Sequence, residues 1–256
     1  MKFFKNWLDR PIRRHTGLLP IAQTDPDDVF IVGYPKSGHT WMQTLIAGTV
    51  YGLDPGYLSY AVVDDLIPDV HARSYYRRYG TPMHFKSHRL PQPDYRRVIY
   101  VLRDGRDVMI SYYHHLKALY GSAIDFATVV RTGEHVYPGK WHEHVEAWKS
   151  NPYKAQILVL KYEDLLDDPV KQLGRVCDFL TLDRSLSLLK LVAEGSSFRS
   201  MRAREEEFGL QDERWPMDQF FIRRGQLGSH KDEMPGQILD LFMTDAAETL
   251  RDFAYI

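Results

Sequence analysis

The chain has 256 residues, enough for one large domain or two small ones. Lys plus Arg is 33 against 34 Asp plus Glu, a formal net charge of -1, so no global basic field exists to hold nucleic acid or anionic lipid. Any bound anion must meet a local site, and the single Cys177 excludes intrachain disulfides and every CxxC zinc arrangement.

Residues 1–24 read as an N-terminal arm preceding a single domain over 25–256. The arm carries Lys2, Lys5, Arg10, Arg13 and Arg14 against Asp9, with Phe3, Phe4, Trp7 and Leu8 as apolar partners. Packing on its own domain is preferred over contact with a membrane surface. Lys5, Asn6, Asp9 and Arg10 interrupt any secretory apolar run. No stretch approaches the roughly 18 apolar residues of a membrane helix. The expectation is a cytoplasmic protein without an integral membrane segment.

Short apolar or β-branched runs at Val29–Val32, Met83–Phe85, Val98–Leu102 and Ile157–Leu160 predict buried strands. Helix-compatible stretches lie at Trp41–Val50, Val108–Leu119, Trp141–Lys149 and Leu165–Leu180. This alternation predicts an α/β fold: a single domain with a central, mainly parallel sheet flanked by helices. From Ser196 to Pro235 the chain is rich in charge, Gly and Ser and reads as an irregular segment over the ligand crevice, before a last helix near Gln237–Phe253.

The segment Val29 to Trp41 is a strand, a small-residue loop and a helix start, the layout in which backbone N–H groups cradle a phosphate. Gly33, Gly38 and Thr40 fall where a Walker A loop places them, but His39 stands at the Lys position and the cation has moved to Lys36. The strand at Val98–Leu102 ends in Arg103 where a Mg²⁺-binding carboxylate would be, so its end suits an anion. Eight helical residues advance about 12 Å, which predicts a turn at Asp104–Asp107, with Asp107 as N-cap, if Arg103 and Ser111 serve one phosphate.

Tyr34-Pro35-Lys36-Ser37-Gly38-His39-Thr40-Trp41 resembles the 5'-phosphosulfate loop YPKSGTTW of the cytosolic-type sulfotransferases. Arg103 to Ser111 resembles that family's 3'-phosphate motif, and Lys86-Ser87-His88 its catalytic K-T-H segment. Tyr162-Glu163-Asp164, Ser196-Ser197-Phe198 and Arg223-Arg224-Gly225 are similar to its Y-E-D, T-S-F and R-K-G segments. All stand in the family's order.

The resemblance implies transfer of a sulfuryl group from 3'-phosphoadenosine 5'-phosphosulfate to a hydroxyl or amine of a small-molecule or glycan acceptor, without a metal, leaving 3',5'-adenosine bisphosphate. It implies His88 as base, Lys36 on the bridging oxygen and Lys86 on the sulfuryl oxygens. It further implies donor contacts from Lys36, Ser37, Gly38, His39, Thr40, Trp41, Arg103, Ser111, Tyr162, Ser197, Phe198, Arg223, Arg224 and Gly225. The pair His114-His115 and Tyr75, Tyr76, Tyr112 and Tyr113 are candidates for the acceptor side.

His39 departs from the motif, leaving its 5'-phosphate contact to backbone and Thr40. Gly228-Ser229-His230 replaces the family's GDW, and its KxxxTVxxxE dimer motif is absent, so association by that route is not expected. A P-loop kinase or NTPase and a non-catalytic nucleotide-binding scaffold remain the alternative readings.

Overall fold

Val29, Phe30, Ile31 and Val32 are all buried, as strands must be when helices cover both faces of a parallel sheet. A computed structural model describes residues 16–209, 215–216 and 218–256; the first part of the expected arm, residues 1–15, lies outside them. The strands are β1 (Leu19–Pro20), β2 (Val29–Val32), β3 (Tyr75–Tyr76), β4 (His84–Ser87), β5 (Arg97–Leu102) and β6 (Gln156–Lys161). Helices α1 (His39–Tyr51), α2 (Tyr60–Leu66), α3 (Gly105–Tyr120), α4 (Phe126–Thr132), α5 (Trp141–Ser150) and α6 (Tyr162–Asp167) follow in chain order. The last are α7 (Pro169–Leu180), α8 (Leu186–Gly195), α9 (Phe198–Phe208), α10 (Ser229–Glu233) and α11 (Gly236–Asp252).

The central sheet has the order β4-β2-β5-β6 with every pair parallel, while β1 and β3 form a separate antiparallel pair. Strand side chains alternate between two cores. Phe30, Val32, Phe85, Val98, Tyr100 and Leu102 meet α3, α5 and α11 through Val108, Trp141, Trp148, Phe242 and Leu250. Val29, Ile31, Ile99, Val101 and Leu160 meet α1, α7 and α8 through Met42, Leu45, Leu173, Val176 and Val192. The chain therefore leaves β2 toward one face and β5 toward the other. Adjacent parallel strands that diverge in this way open a crevice beyond their C-terminal ends.

Two expectations fail for physical reasons. The single helix over Leu165–Leu180 is broken into α6 and α7 at Asp168, because Pro169 lacks an N–H and disfavours helical geometry in the residue before it. Asp168 instead caps α7, accepting from Lys171 N at 2.9 Å. The segment expected to be irregular from Ser196 to Pro235 contains α9 and α10. In α9 the buried face is Met201, Arg204 and Glu205, and a buried stripe that is two-thirds charged leaves no hydrophobic period to read. Among the described residues no helix is long and apolar enough to cross a membrane.

A buried carboxylate fixes the entry to the sheet. Asp28 is fully buried, takes a two-pronged contact from Arg78 at 2.9 and 2.7 Å, and accepts the N–H groups of Met83 at 2.8 Å and Asp25 at 2.7 Å. Asp28→Ala leaves the Met83 and Asp25 N–H groups unmatched and strips Arg78 of its two-pronged partner, although Asp25 at 3.2 Å and the Tyr76 hydroxyl at 2.8 Å still hold the guanidinium, so we expect a loss of about 2 to 4 kcal/mol. Urea denaturation checks this, and a loss below about 1 kcal/mol contradicts it.

Candidate active site

Gly33 directly follows β2 at a point where no side chain fits: a Cβ there would sit 2.3 Å from Val101 O and 2.6 Å from His39 Cε1. Lys36 holds a left-handed φ of 71°, a conformation that costs a non-glycine residue about 1 to 2 kcal/mol and turns the loop back over the crevice. Gly38, at φ 97°, lies under Tyr162, whose Cδ2 would be 2.6 Å from a Cβ. As N-cap of α1 it offers no side chain, and the first turn of α1 carries no acid. The positive end of a long helix thus faces the crevice without a built-in anion. The crevice is a cavity of about 700 Å³.

Across it, Arg103 directly follows β5. Its Nη1 donates to Lys36 O at 3.2 Å and its Nη2 to Gln226 O at 3.4 Å, its plane lies 4.3 Å from the Tyr162 ring centre, and its buried Nε has no hydrogen-bond partner. Arg106, not Arg103, pairs with Asp104, at 2.6 Å. Asp107 is not the N-cap expected from sequence. Asp104 is, accepting from Arg106 N at 2.9 Å, so α3 starts earlier and Ser111 sits in its second turn, still facing the cavity. Asp107 instead accepts from Gly228 N at 2.7 Å, His230 N at 2.9 Å and His230 Nδ1 at 2.7 Å.

The charges of Lys86, Arg103 and Arg223 each act on Lys36. Burial and the charges of Lys86 and Arg103 bring Lys36 down to about 7, with its Nζ 3.9 Å from the Phe221 ring centre. Lys86 Nζ pairs with Asp69 at 2.9 Å. His88 Nδ1 lies 2.8 Å from Gly33 O, and since a carbonyl only accepts, the proton sits on Nδ1 and Nε2 keeps its lone pair. Burial and then Lys86 lower His88 to about 3. The ring is thus neutral, with a lone pair free at one defined atom.

The segment Phe221–Gln226 covers this cluster. Glu205 accepts from Ile222 N at 3.0 Å, and Gly225 packs on Phe198, whose Cδ2 would be 2.3 Å from a Cβ. Glu233 takes Arg223 at 2.7 Å, Arg224 and His114 Nε2 at 2.7 Å. Burial raises the Glu233 carboxyl, but the bonds from Arg223, Arg224 and His114 outweigh it and bring it to about 2.

The cavity wall brings together Lys36, Gly38, His39, Thr40, Trp41, Lys86, His88, Arg103, Ser111, Tyr162, Phe198, Arg223, Arg224 and Gly225. Ser37 and Ser197 are not on it. Ser197 is spent as the N-cap of α9, accepting from Ser200 N at 3.3 Å, and neighbouring Ser196 lines the cavity with a buried Oγ that has no partner. The His39 ring is buried against Gly33 and edge-on to His88 at 4.4 Å, so what its position offers a ligand is backbone. Of the acceptor-side candidates, Tyr112 and His115 line the cavity. Tyr113 stacks on Phe126 at 4.3 Å, Tyr76 donates to Gln23 O at 2.8 Å, and His114 is held by Glu233. Sequence reasoning missed Asp69, His71, Ser196 and Phe221. Only Ser196 lay inside a recognised motif, one residue from the serine chosen there.

The family model for the sulfotransferase domain matches residues 26–254. Mouse Sulfotransferase 1E1 is 24% identical over 250 residues, covering 89% of this chain and 84% of that protein. Human Sulfotransferase 2B1 is 31% identical over 194 residues, covering 69% of this chain and 52% of that protein. The fold is similar to that of retinol dehydratase in complex with androsterone and the inactive cofactor PAP, with a TM-score of 0.69, 21% identity, and coverage of 90% and 82% of the two chains. Mouse sulfotransferase SULT7A1 complexed with PAP gives a TM-score of 0.63 at 19% identity, with 90% of each chain covered. With its fold and its motifs now placed around one crevice, the chain belongs to the sulfotransferase family.

Proposed function

We propose that this enzyme moves a sulfuryl group from 3'-phosphoadenosine 5'-phosphosulfate to a hydroxyl or amine of a small-molecule or glycan acceptor, in line, with His88 as base. The observation that carries this reading is the convergence of Lys36, Lys86 and Arg103 with a neutral His88 on one cavity at the open N-terminus of α1. The fit to the donor rests on cationic and polar atoms without partners: Arg103 Nε, Ser196 Oγ and Trp41 Nε1 are buried and unbonded. The donor supplies a sulfuryl group on a good leaving phosphate. Arg103, Ser111 and Arg223 would hold the 3'-phosphate, the α1 turn with Thr40 the 5'-phosphate, and Trp41 and Phe198 the adenine.

His88 Nε2 takes the acceptor proton as the acceptor oxygen or nitrogen bonds to sulfur. Lys36 meets the negative charge left on the bridging oxygen as the S–O bond breaks, and Lys86 steadies the sulfuryl oxygens. Arrangement, not a covalent enzyme intermediate, supplies the acceleration, much as in phosphoryl transfer. Androsterone and retinol, the small molecules of the retinol dehydratase complexes, support a small hydroxyl acceptor. Against a kinase reading, the first position after β5 is Arg103 rather than a carboxylate, and the following Asp104 is taken by Arg106.

An acceptor screen with labelled phosphosulfate donor tests the activity, and tighter binding of Mg²⁺-ATP than of the bisphosphate in calorimetry overturns it. Binding of bisphosphate without transfer to any acceptor would favour a scaffold.

Arg103→Ala should weaken 3',5'-adenosine bisphosphate by about 1.5 to 3 kcal/mol, roughly tenfold or more, while adenosine 5'-monophosphate loses little. The loss in Arg223→Ala should be smaller, because Glu233 already takes that guanidinium. Equal losses for both nucleotides in either variant contradict the assignment.

The Lys36 ammonium is half lost near pH 7 in the free protein, and an anion beside it raises that value. Bisphosphate binding therefore takes up protons, and affinity falls as pH rises above about 7. Isothermal calorimetry across pH 6 to 9 should show this slope in the natural chain and a flatter one in Lys36→Met.

His88→Ala should leave melting and bisphosphate affinity near those of the natural chain while single-turnover transfer drops about 10²-fold to 10⁴-fold. The loss should shrink for acidic phenols, which need less help to release a proton. An unchanged rate removes His88 as base.

A further inference from the structure

His88 is held from two directions. Its ring N–H goes to Gly33, and its peptide N–H donates to His71 Nε2 at 2.9 Å. The two imidazoles stack at 5.6 Å with 19° between planes, and His71 meets Tyr137 edge-on at 5.2 Å.

The segment that carries His71 is itself fastened to β4. Lys86 N donates to Pro68 O and Val70 N to Lys86 O, both at 3.0 Å, which runs residues 68–70 beside the strand as a further parallel edge. Asp69 uses both carboxylate oxygens there: Oδ2 takes Lys86 Nζ at 2.9 Å, and Oδ1 accepts His71 N at 2.8 Å. One continuous polar chain thus runs from the Lys86 ammonium through Asp69 and His71 to the peptide of His88.

We propose that His71 is a positioning residue for the transfer step: its neutral ring pins the His88 peptide and so fixes the direction in which His88 Nε2 meets the acceptor. This deepens the proposed function and rests on its reading of His88 as base. The Gly33 bond alone leaves the ring an axis about which to tilt. Displacement of a catalytic group by about 1 Å can cost 10²-fold in rate. A second anchor on the adjoining backbone removes that freedom.

The contact also has a charge condition. An imidazole that accepts at Nε2 carries its proton on Nδ1, whereas an imidazolium has N–H on both nitrogens and cannot accept. Although one edge of His71 is exposed, burial of the remainder lowers its pKa; Asp69 raises it, and Arg89 and Lys86 lower it. The groups facing the ring are Asp69 on its own segment, Lys86 and His88 at the end of β4, Arg89 beyond them, and Tyr137 across the cavity. The transfer rate therefore falls as pH drops through the pKa of His71, with donor binding left aside.

The test uses the full chain with His71→Ala, His71→Gln and His88→Ala in parallel, reading single-turnover transfer at saturating donor, acceptor KM, bisphosphate affinity and melting. His71→Ala should slow transfer about 10-fold to 100-fold with bisphosphate affinity unchanged. His71→Gln, whose amide oxygen reaches the same N–H and does not titrate, should recover most of that rate and move the acid limb of the pH profile to lower pH. If His71→Ala only raises acceptor KM while His88→Ala loses the chemical step, His71 is merely cavity wall and the proposal is overturned. If His88→Ala keeps its rate, the base reading fails and this proposal falls with it. Should the Ala variant melt early, the Gln variant decides: an acid limb unchanged from the natural chain overturns the positioning role.

Discussion

One hydrogen bond, from Arg103 Nη1 to Lys36 O at 3.2 Å, spans the crevice that the fold creates. Parallel pairing of β2 with β5 sets the two strand ends side by side, and their departure to opposite faces pulls the following loops apart. Arg103 bridges that gap with one arm of a rigid fork. Its plane rests on Tyr162, which also lies over Gly38, so a single ring supports both loops. The guanidinium is therefore held in place before any anion arrives, and little side-chain entropy is left to lose on binding. Burial first, and then the like charges of Lys86, Arg103 and Arg223, disfavour the Lys36 ammonium and bring it down to about 7. A polyanion reverses that repulsion.

The segment over the cavity is tethered by carboxylates that lie elsewhere in the chain. Glu205 holds backbone at Phe221 and Ile222, Asp107 holds backbone at Gly228 and His230, and Glu233 holds the Arg223 and Arg224 side chains. Two of the three spend themselves on N–H groups, which leaves the cationic heads of the segment to a single acid. That division matters because a fully neutralised arginine pair would offer an anion little. Asp107 sits in the first turn of α3, close to Arg103 along the chain, so the covering segment and the strand-end arginine share one support. His230 stands at the Trp position of the family's GDW and supplies a ring nitrogen to that support.

Much of the architecture was legible because burial on both sheet faces writes continuous apolar runs. Val29–Val32 is the predicted strand without adjustment, and β5 and β6 differ only at their ends. Helix starts were harder. At α3 two aspartates three apart could each cap, and the choice went to Asp104 because Asp107 was needed by the distant Gly228 and His230, a demand no local window contains. The α9 helix was invisible for a related reason: its buried Arg204 donates to Pro55 O and Leu58 O, and its buried Glu205 accepts from the covering segment. Most of the cavity-lining residues named from the sequence were legible because they cluster in short motifs. Asp69 and His71 were not, since their meaning comes from lying beside β4, 17 residues away from the peptide that His71 accepts.

The same reasoning accounts for His39, the departure at the heart of the loop. A lysine at that position in a Walker loop points its ammonium to the ligand, but here the side chain turns inward, packed against Gly33 and edge-on to His88. Burial, then His88 and Lys86, depress its pKa strongly, so a charge placed there would add to the like charges of a crowded site. A neutral ring fills the space beneath the loop and meets the His88 ring edge-on. The cation is carried instead by Lys36, whose left-handed backbone lifts it out of the helix start and over the crevice. Shifting one positive charge by three residues thus changes which side of a bound phosphate it can approach. In the proposed transfer, this puts positive charge on the side of the group that departs, beside a neutral imidazole.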